Sequence, residues 1–237
     1  MDLIERLRMT HRFWRYRLRT ERSSIGFLLQ QRLLGQVVFD VGANLGIYSY
    51  WMNKAVGREG KVVAFEPQPE LAKHLEDLKD AFGLASLEIV NKGLSSSVGS
   101  SQLYRPEAGS GAGSLNVRPA GWQSINVDLI TLDAYYDSPR PVKFIKCDVE
   151  GHEYDVLLGS QRILLRDKPA LLLEIHHCEA EKGDIAAYLA DLGYDGFFFH
   201  GNDWISFAKF KQFPYRKNWE THRNYIFVHN DAARRRG

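Results

Sequence analysis

Two spacings of apolar residues divide this chain. In the first, short runs of consecutive apolar positions end at charged residues, glycine or proline. Val37-Val38-Phe39-Asp40-Val41 opens the series and is followed by a glycine turn. Residues 61–66, 86–91, 142–149 and 170–175 repeat the pattern. Runs of this length predict strands buried on both faces of a parallel sheet. Between them the apolar positions fall three or four apart. That spacing predicts helices over 45–56, 70–82, 152–165 and 183–192. Leu71, Leu75 and Leu78 share one helix face. Residues 196–200 and 224–228 are aromatic and β-branched and predict two late strands. The alternation gives a Rossmann-like, doubly wound α/β sheet.

The two ends and the middle read differently. Leu3, Leu7, Trp14 and Leu18 recur at about 3.6 residues, so residues 1–22 predict an amphipathic helix with that row packed on the domain. Arg6, Arg8, Arg12, Arg15, Arg19 and Arg22 occupy other positions. Such a helix is also a candidate for a homodimer contact, a lid, or peripheral attachment to an anionic membrane. It carries no uninterrupted apolar core and so does not read as a signal peptide. Residues 95–101 are rich in Ser and Gly, and 109–114 (Gly-Ser-Gly-Ala-Gly-Ser) form a flexible-looking loop. Residues 124–129 alternate as a strand, and Thr131 caps a short helix over 132–136. The chain divides into a helical extension (1–35), one domain (36–230) and a basic tail (231–237).

Composition narrows the class. The 237 residues are 44% hydrophobic and 25% charged, which suits a globular protein and excludes disorder or a disulfide-stapled miniprotein. No apolar run approaches the roughly 18 residues of a membrane helix. Cys147 and Cys178 as free thiols fit a reducing, cytoplasmic setting. The net charge of +2 conceals an asymmetry. Residues 1–22 hold seven Arg against Asp2, Glu5 and Glu21, a net of +4, whereas residues 23–233 carry −5. An acidic body argues against wrapping nucleic acid.

In open α/β sheets, ligands bind beyond the carboxyl ends of the strands. The first end reads Asp40-Val41-Gly42-Ala43-Asn44-Leu45-Gly46. It is neither a P-loop nor a Gly-x-Gly-x-x-Gly turn, because Asn44 holds the middle glycine position. An acid before the turn suits a cationic or amino-bearing ligand. Glu66 ends the second strand 20 residues past Gly46, where a carboxylate can accept from both ribose hydroxyls. The two motifs together point to a nucleoside ligand. Lys146-Cys147-Asp148-Val149-Glu150-Gly151-His152-Glu153 and Glu174-Ile175-His176-His177 end two further strands. Adjacent strands would bring Asp148, Glu150, Glu174 and His176 into one crevice, where crowding tunes a general base. Helix capping alone also accounts for Asp148 or Glu150.

These residues resemble the FkbM-type methyltransferases. The likeness is carried by residues 38–46, Phe65-Glu66-Pro67, Thr131-Leu132-Asp133 and residues 145–153, in order, and spans residues 37–176. It implies a seven-stranded sheet of order 3-2-1-4-5-7-6 with the last strand antiparallel. It implies S-adenosylmethionine (SAM) over Gly42, Ala43, Asn44 and Gly46. Asp40 would face the amino-acid part and Glu66 with Pro67 the ribose. Leu94, within 91–95, would border the adenine, and Asp148 would lie beside the cofactor. The implied reaction is methyl transfer to a hydroxyl of a sugar, glycolipid or related small molecule. Cys147 departs from the aliphatic residue more usual in the family and packs equally well.

The expected catalytic set is Asp148, His176, Glu150 and Lys146, with His176 or Asp148 as base and Lys146 orienting the acid. A divalent cation such as Mg²⁺ held by Asp148, Glu174 and His176 is an alternative. Three rival readings share parts of these motifs. An NAD-dependent oxidoreductase would show glycine, not asparagine, at position 44. A nucleic-acid methyltransferase acting on exocyclic amines would show Asn/Asp-Pro-Pro-aromatic where Asp148-Val149-Glu150-Gly151 stands. A non-catalytic SAM-binding module would have lost the acid and glycine positions. Trp204, Phe207, Phe210, Phe213, Tyr215, Trp219 and Tyr225 crowd the last third. They suit core packing or, with the basic stretch 209–223, one wall of a sugar cleft.

Overall fold

The computed structural model describes residues 1–116, 120–201, 203–213 and 222–233. The apolar runs become strands β1 (Val37–Val41), β2 (Lys61–Phe65) and β3 (Leu87–Val90). Then come β4 (Gly93–Leu94), β5 (Gly99–Arg105), β6 (Gln123–Ile130), β7 (Val142–Cys147) and β8 (Ala170–His176). Last are β9 (Tyr194–His200), β10 (Asp203–Ser206) and β11 (His222–His229). Helices α1 (Leu3–Arg15), α2 (Arg22–Gln30), α3 (Ile47–Val56), α4 (Pro69–Phe82) and α5 (Leu132–Tyr135) accompany them. So do α6 (Glu153–Leu158), α7 (Gln161–Asp167), α8 (His177–Lys182) and α9 (Asp184–Asp191).

The main sheet runs β3-β2-β1-β7-β8-β11-β9-β10. β1 pairs in parallel with β2 and β7, and β7 with β8. β11 runs antiparallel between β8 and β9. The first seven positions follow the expected order. The eighth strand, β10, is additional: a hairpin turned at Gly201 (φ +66°) adds it to the edge. It is four residues long and sits within the aromatic stretch, so no period-two run marks it.

Along β1, Val37, Phe39 and Val41 enter one core and Val38 the other. Alternating side chains meet helices on both faces, so the run is apolar throughout. A small second sheet, β4-β6-β5, packs Leu103, Val127 and Leu129 together. It takes in the end of the Ser- and Gly-rich segment that reads as loop. The helix expected over 152–165 is two, α6 and α7. A Cβ on Gly159 would lie 2.0 Å from the Ser95 carbonyl oxygen, so another backbone crosses the break.

The N-terminal helix is turned the other way from its expected orientation. Met9 and Phe13 face the domain. Phe13 stacks on Tyr50 with ring centroids 4.0 Å apart, and Trp51 Nε1 donates to its carbonyl at 3.3 Å. Leu3, Leu7, Trp14 and Leu18 are 47–71% exposed. The helix is apolar on two sides, and periodicity does not say which side meets the protein. After Arg15 it continues as a π-helical turn, Tyr16–Thr20, before α2. Cys147 and Cys178 are both free. Among the described residues no helix is long and apolar enough to cross a membrane. Tyr215, Trp219 and the tail Arg234–Arg236 lie outside the described residues.

Candidate active site

The β1–α3 turn needs left-handed backbone at three positions: Gly42 (φ +74°), Asn44 (φ +49°) and Gly46 (φ +75°). A Cβ on Gly42 would fall 1.8 Å from the Asp148 carbonyl oxygen, so the turn can press against the β7 loop only with glycine there. Gly46 has a different role. Its missing Cβ makes room for Leu75 and Leu78 of α4, so it serves packing. The Gly42 and Ala43 amides donate to the Phe65 carbonyl, tying the turn to the end of β2.

Glu66 stands where β2 ends, and it is buried. Its Oε2 accepts from the Asn44 amide at 2.9 Å and its Oε1 from the Gln68 amide at 3.0 Å. Burial pushes its carboxyl up to about 7, against the pull of these two bonds. Gly42, Asn44, Glu66, Pro67, Leu94 and Asp148 line one cavity, whereas Asp40, Ala43 and Gly46, expected at the same ligand, do not line it. The glycine-rich loop roofs it through Gly111 and Gly113. The loop is pinned there: Gln68 Nε2 donates to the Ser110 carbonyl and Ser114 Oγ to the Glu150 carbonyl, each at 2.8 Å. Asn44 Oδ1 is buried in this wall and, among the described residues, has no hydrogen-bond partner.

A second cavity adjoins the first and shares Gly42, Asn44 and Asp148 with it. Asp40, Ala43, Tyr48, Lys146, Glu174 and His222 also line it, and the N-terminal extension adds Tyr16, Thr20 and Glu21. Asp40 accepts from Ser49 Oγ, and burial raises its carboxyl. Buried Lys146 lies 3.0 Å from Asp148 Oδ2, with its ammonium 5.0 Å from the Tyr48 ring centroid. Burial alone would depress Lys146, but the carboxylates of Asp148, Glu174 and Asp40 outweigh it and hold the charge.

Asp148 and Glu174 act on each other and respond in opposite directions. Burial, assisted by Glu174, pushes the Asp148 carboxyl well above the usual range. Burial works on Glu174 too. The His222 hydrogen bond at 2.8 Å and the Lys146 charge nonetheless hold it down at about 2. That same bond lifts His222 to about 9. The Asp148 side chain, paired with Lys146, remains about one-third exposed to the cleft.

His176 and Glu150 pair with each other at 3.3 Å. Glu150 lines the first cavity and His176 neither. The expected metal trio of Asp148, Glu174 and His176 does not converge, because Glu174 turns to His222 and His176 to Glu150. Among the described residues no group of three His, Cys, Asp or Glu side chains is arranged to hold a metal ion.

The sequence reading missed Glu21, Tyr48 and His222. Glu21 Oε2 accepts from Tyr48 at 3.1 Å and from Asn224 Nδ2 at 2.7 Å, joining the extension to the sheet. His222 reaches the site because β11 inserts beside β8, opposing His222 to His176 and Asn224 to Glu174. Glu153 has a structural role: its Oε1 accepts from the Val149 and Gly151 amides and closes the β7 loop. Asp133 likewise accepts from the Arg162 and Ile163 amides at the start of α7. Phe207, Phe210 and Phe213 pack on the core.

Comparison with known proteins follows the same lines. Residues 40–195 match the methyltransferase FkbM domain. The chain is 32% identical to the hexuronic acid methyltransferase AglP of Haloferax volcanii, over 69% of this chain and 66% of that protein. It is 27% identical to the methyltransferase sdnD of Sordaria araneosa, over 67% and 73%. The solved FkbM methyltransferase of Methylobacillus flagellatus KT superposes with a TM-score of 0.56 at 17% identity, over 84% of this chain and 45% of that one. With a glycine turn, a buried strand-end acid and a β7 loop in the places that this domain match spans, the chain belongs to the FkbM methyltransferase family.

Proposed function

We propose that the protein is a SAM-dependent O-methyltransferase whose acceptor is a hydroxyl of a sugar or related small molecule. One observation carries the reading: two cavities meet at Asp148, one suited to a nucleoside and the other lined with acid, base and hydroxyl groups. The first would hold SAM. Buried Glu66 still has lone pairs for ribose hydroxyls, Asn44 Oδ1 offers an acceptor, and Asp40, on the adjoining wall of the second cavity, offers a carboxylate for a cationic amine. Held there, SAM would supply an electrophilic sulfonium methyl group for the acceptor oxygen.

The chain's own work is alignment and proton removal. The walls of the second cavity hold the acceptor, and such positioning supplies much of the acceleration. Asp148 is the base in this reading: it lies on the seam, partly exposed, and its carboxylate holds a proton more tightly than an ordinary one. Lys146 orients it. Glu174, kept ionised by His222, favours the protonated form of Asp148 once the acceptor's proton has moved to it. His176 is a less direct candidate, because it lines neither cavity. The similarity to a hexuronic acid methyltransferase supports a carbohydrate acceptor.

The test is incubation with methyl-deuterated SAM and a panel of monosaccharides and uronic acids, followed by mass spectrometry and NMR of the products. The expected product is a deuterated methyl ether. Label on nitrogen, or no transfer to any carbohydrate, would sink the acceptor assignment.

A further inference from the structure

The first helix bears an apolar face that the fold uses only at Trp14, whose ring meets Trp51 edge-on with centroids 5.3 Å apart. Met9 and Phe13 already anchor α1 to the domain. On the opposite side Leu3, Leu7, Trp14 and Leu18 form a row that continues through the π-helical turn, with Ile4 beside it, all exposed. At about 1.5 Å per residue the row extends roughly 22 Å. Exposed apolar side chains in a continuous row mark a contact surface. Helical spacing sets Arg8 and Arg15 along one border of the row and Arg6 along the other, all three exposed.

We propose that this face docks the protein on an anionic lipid surface, with α1 lying in the plane of the interface. An apolar stripe bordered by arginines and carrying a tryptophan is the composition of an interfacial helix. Residues 1–22 supply seven Arg against three acids, while residues 23–233 carry a net −5. Attraction to an anionic bilayer is therefore concentrated on this helix, and the body is repelled. A second copy is the weaker occupant: two-fold pairing of the face would oppose the same arginine rows across the contact, which costs energy. Tyr16 and Thr20, on the turn that carries Leu18, also line the second cavity. Docking would therefore bring that cavity's wall next to the lipid.

Flotation with phosphatidylcholine vesicles containing about 30% phosphatidylglycerol, against pure phosphatidylcholine, tests the proposal. The full chain should partition at least about tenfold more strongly onto the anionic vesicles and dissociate in 0.5 M salt, where screening is nearly complete. Leu3→Glu with Leu7→Glu should reduce partition at least about tenfold without altering the melting temperature or methyl transfer to a soluble acceptor, because both positions are exposed. Arg8→Gln with Arg15→Gln should reduce the preference for anionic lipid. Equal partition onto both vesicles, or flotation of the double glutamate variant like the wild type, would overturn the proposal. So would light scattering that shows a dimer dissociating in that variant, because the face would then belong to a second copy.

Discussion

At the scale of single residues, the site turns on carboxylates held away from their ordinary ionisation. Glu66 is the clearest. Its folded value of about 7 exceeds the ordinary 4.5 because it is buried with amide donors and no cation. The folded chain therefore binds more protons than the unfolded chain between these two values, and this group's contribution to stability falls as pH rises through that window. Glu66→Gln removes the titration. Urea unfolding of ligand-free protein from pH 5 to pH 8 should show the variant gaining on the wild type as pH rises. Calorimetry should show its affinity for S-adenosylhomocysteine reduced about tenfold or more, because hydrogen bonds to a charged acceptor are worth about 1.5–3 kcal/mol. A stability difference that does not change with pH would contradict the account. Glu66 was legible in the sequence because a strand-end acid at a fixed distance from a glycine turn reports a single geometry. Asp148 and Glu174 were legible as neighbours, but the contrast between their ionisations was not. It depends on His222, which lies 48 positions beyond Glu174 and joins the site only through an antiparallel strand.

At the scale of elements, the strand ends were readable and the helix faces were not. A parallel strand buried on both faces announces itself by an unbroken apolar run. Helix α1 announces only a period, and with Leu3 and Leu7 on one side and Met9 and Phe13 on the other, that period fits two orientations. Burial chose the second, because Phe13 finds Tyr50 and Phe82 as ring partners. Phe13→Ala should lower stability by about 3 kcal/mol, within the usual range for a buried aromatic, read from the denaturant midpoint. Leu7→Ala should change it by less than about 0.5 kcal/mol, as an exposed position does. The reverse ranking would restore the orientation read from the sequence. The π-helical turn after Arg15 carries more weight than its length suggests. It brings Tyr16 and Thr20 to the second cavity, so an extension that the sheet does not need forms part of that cavity's wall. Tyr16→Ala should accordingly raise the acceptor KM several-fold and leave S-adenosylhomocysteine affinity unchanged, a split seen by steady-state kinetics beside calorimetry. Equal losses in both would mean the turn acts only by supporting the fold.

At the scale of the whole molecule, the sheet order places two functions side by side. β1 and β2 end beside the first cavity, β8 ends and β11 begins beside the second, and β7 ends between them with Asp148 at its tip. The near-neutral total charge divides along the same plan: an acidic body carries the chemistry, and a basic extension forms one wall and one outer face. The joining of the cavities at Asp148 is the central claim. Single-turnover methyl transfer by Asp148→Asn, measured with S-adenosylhomocysteine binding on the same preparation, tests it most directly. The account predicts chemistry slowed by about 10²–10⁴-fold, the usual worth of a general base, with binding within about threefold of wild type. Wild-type chemistry in the variant, or a loss explained entirely by failed binding, would contradict it.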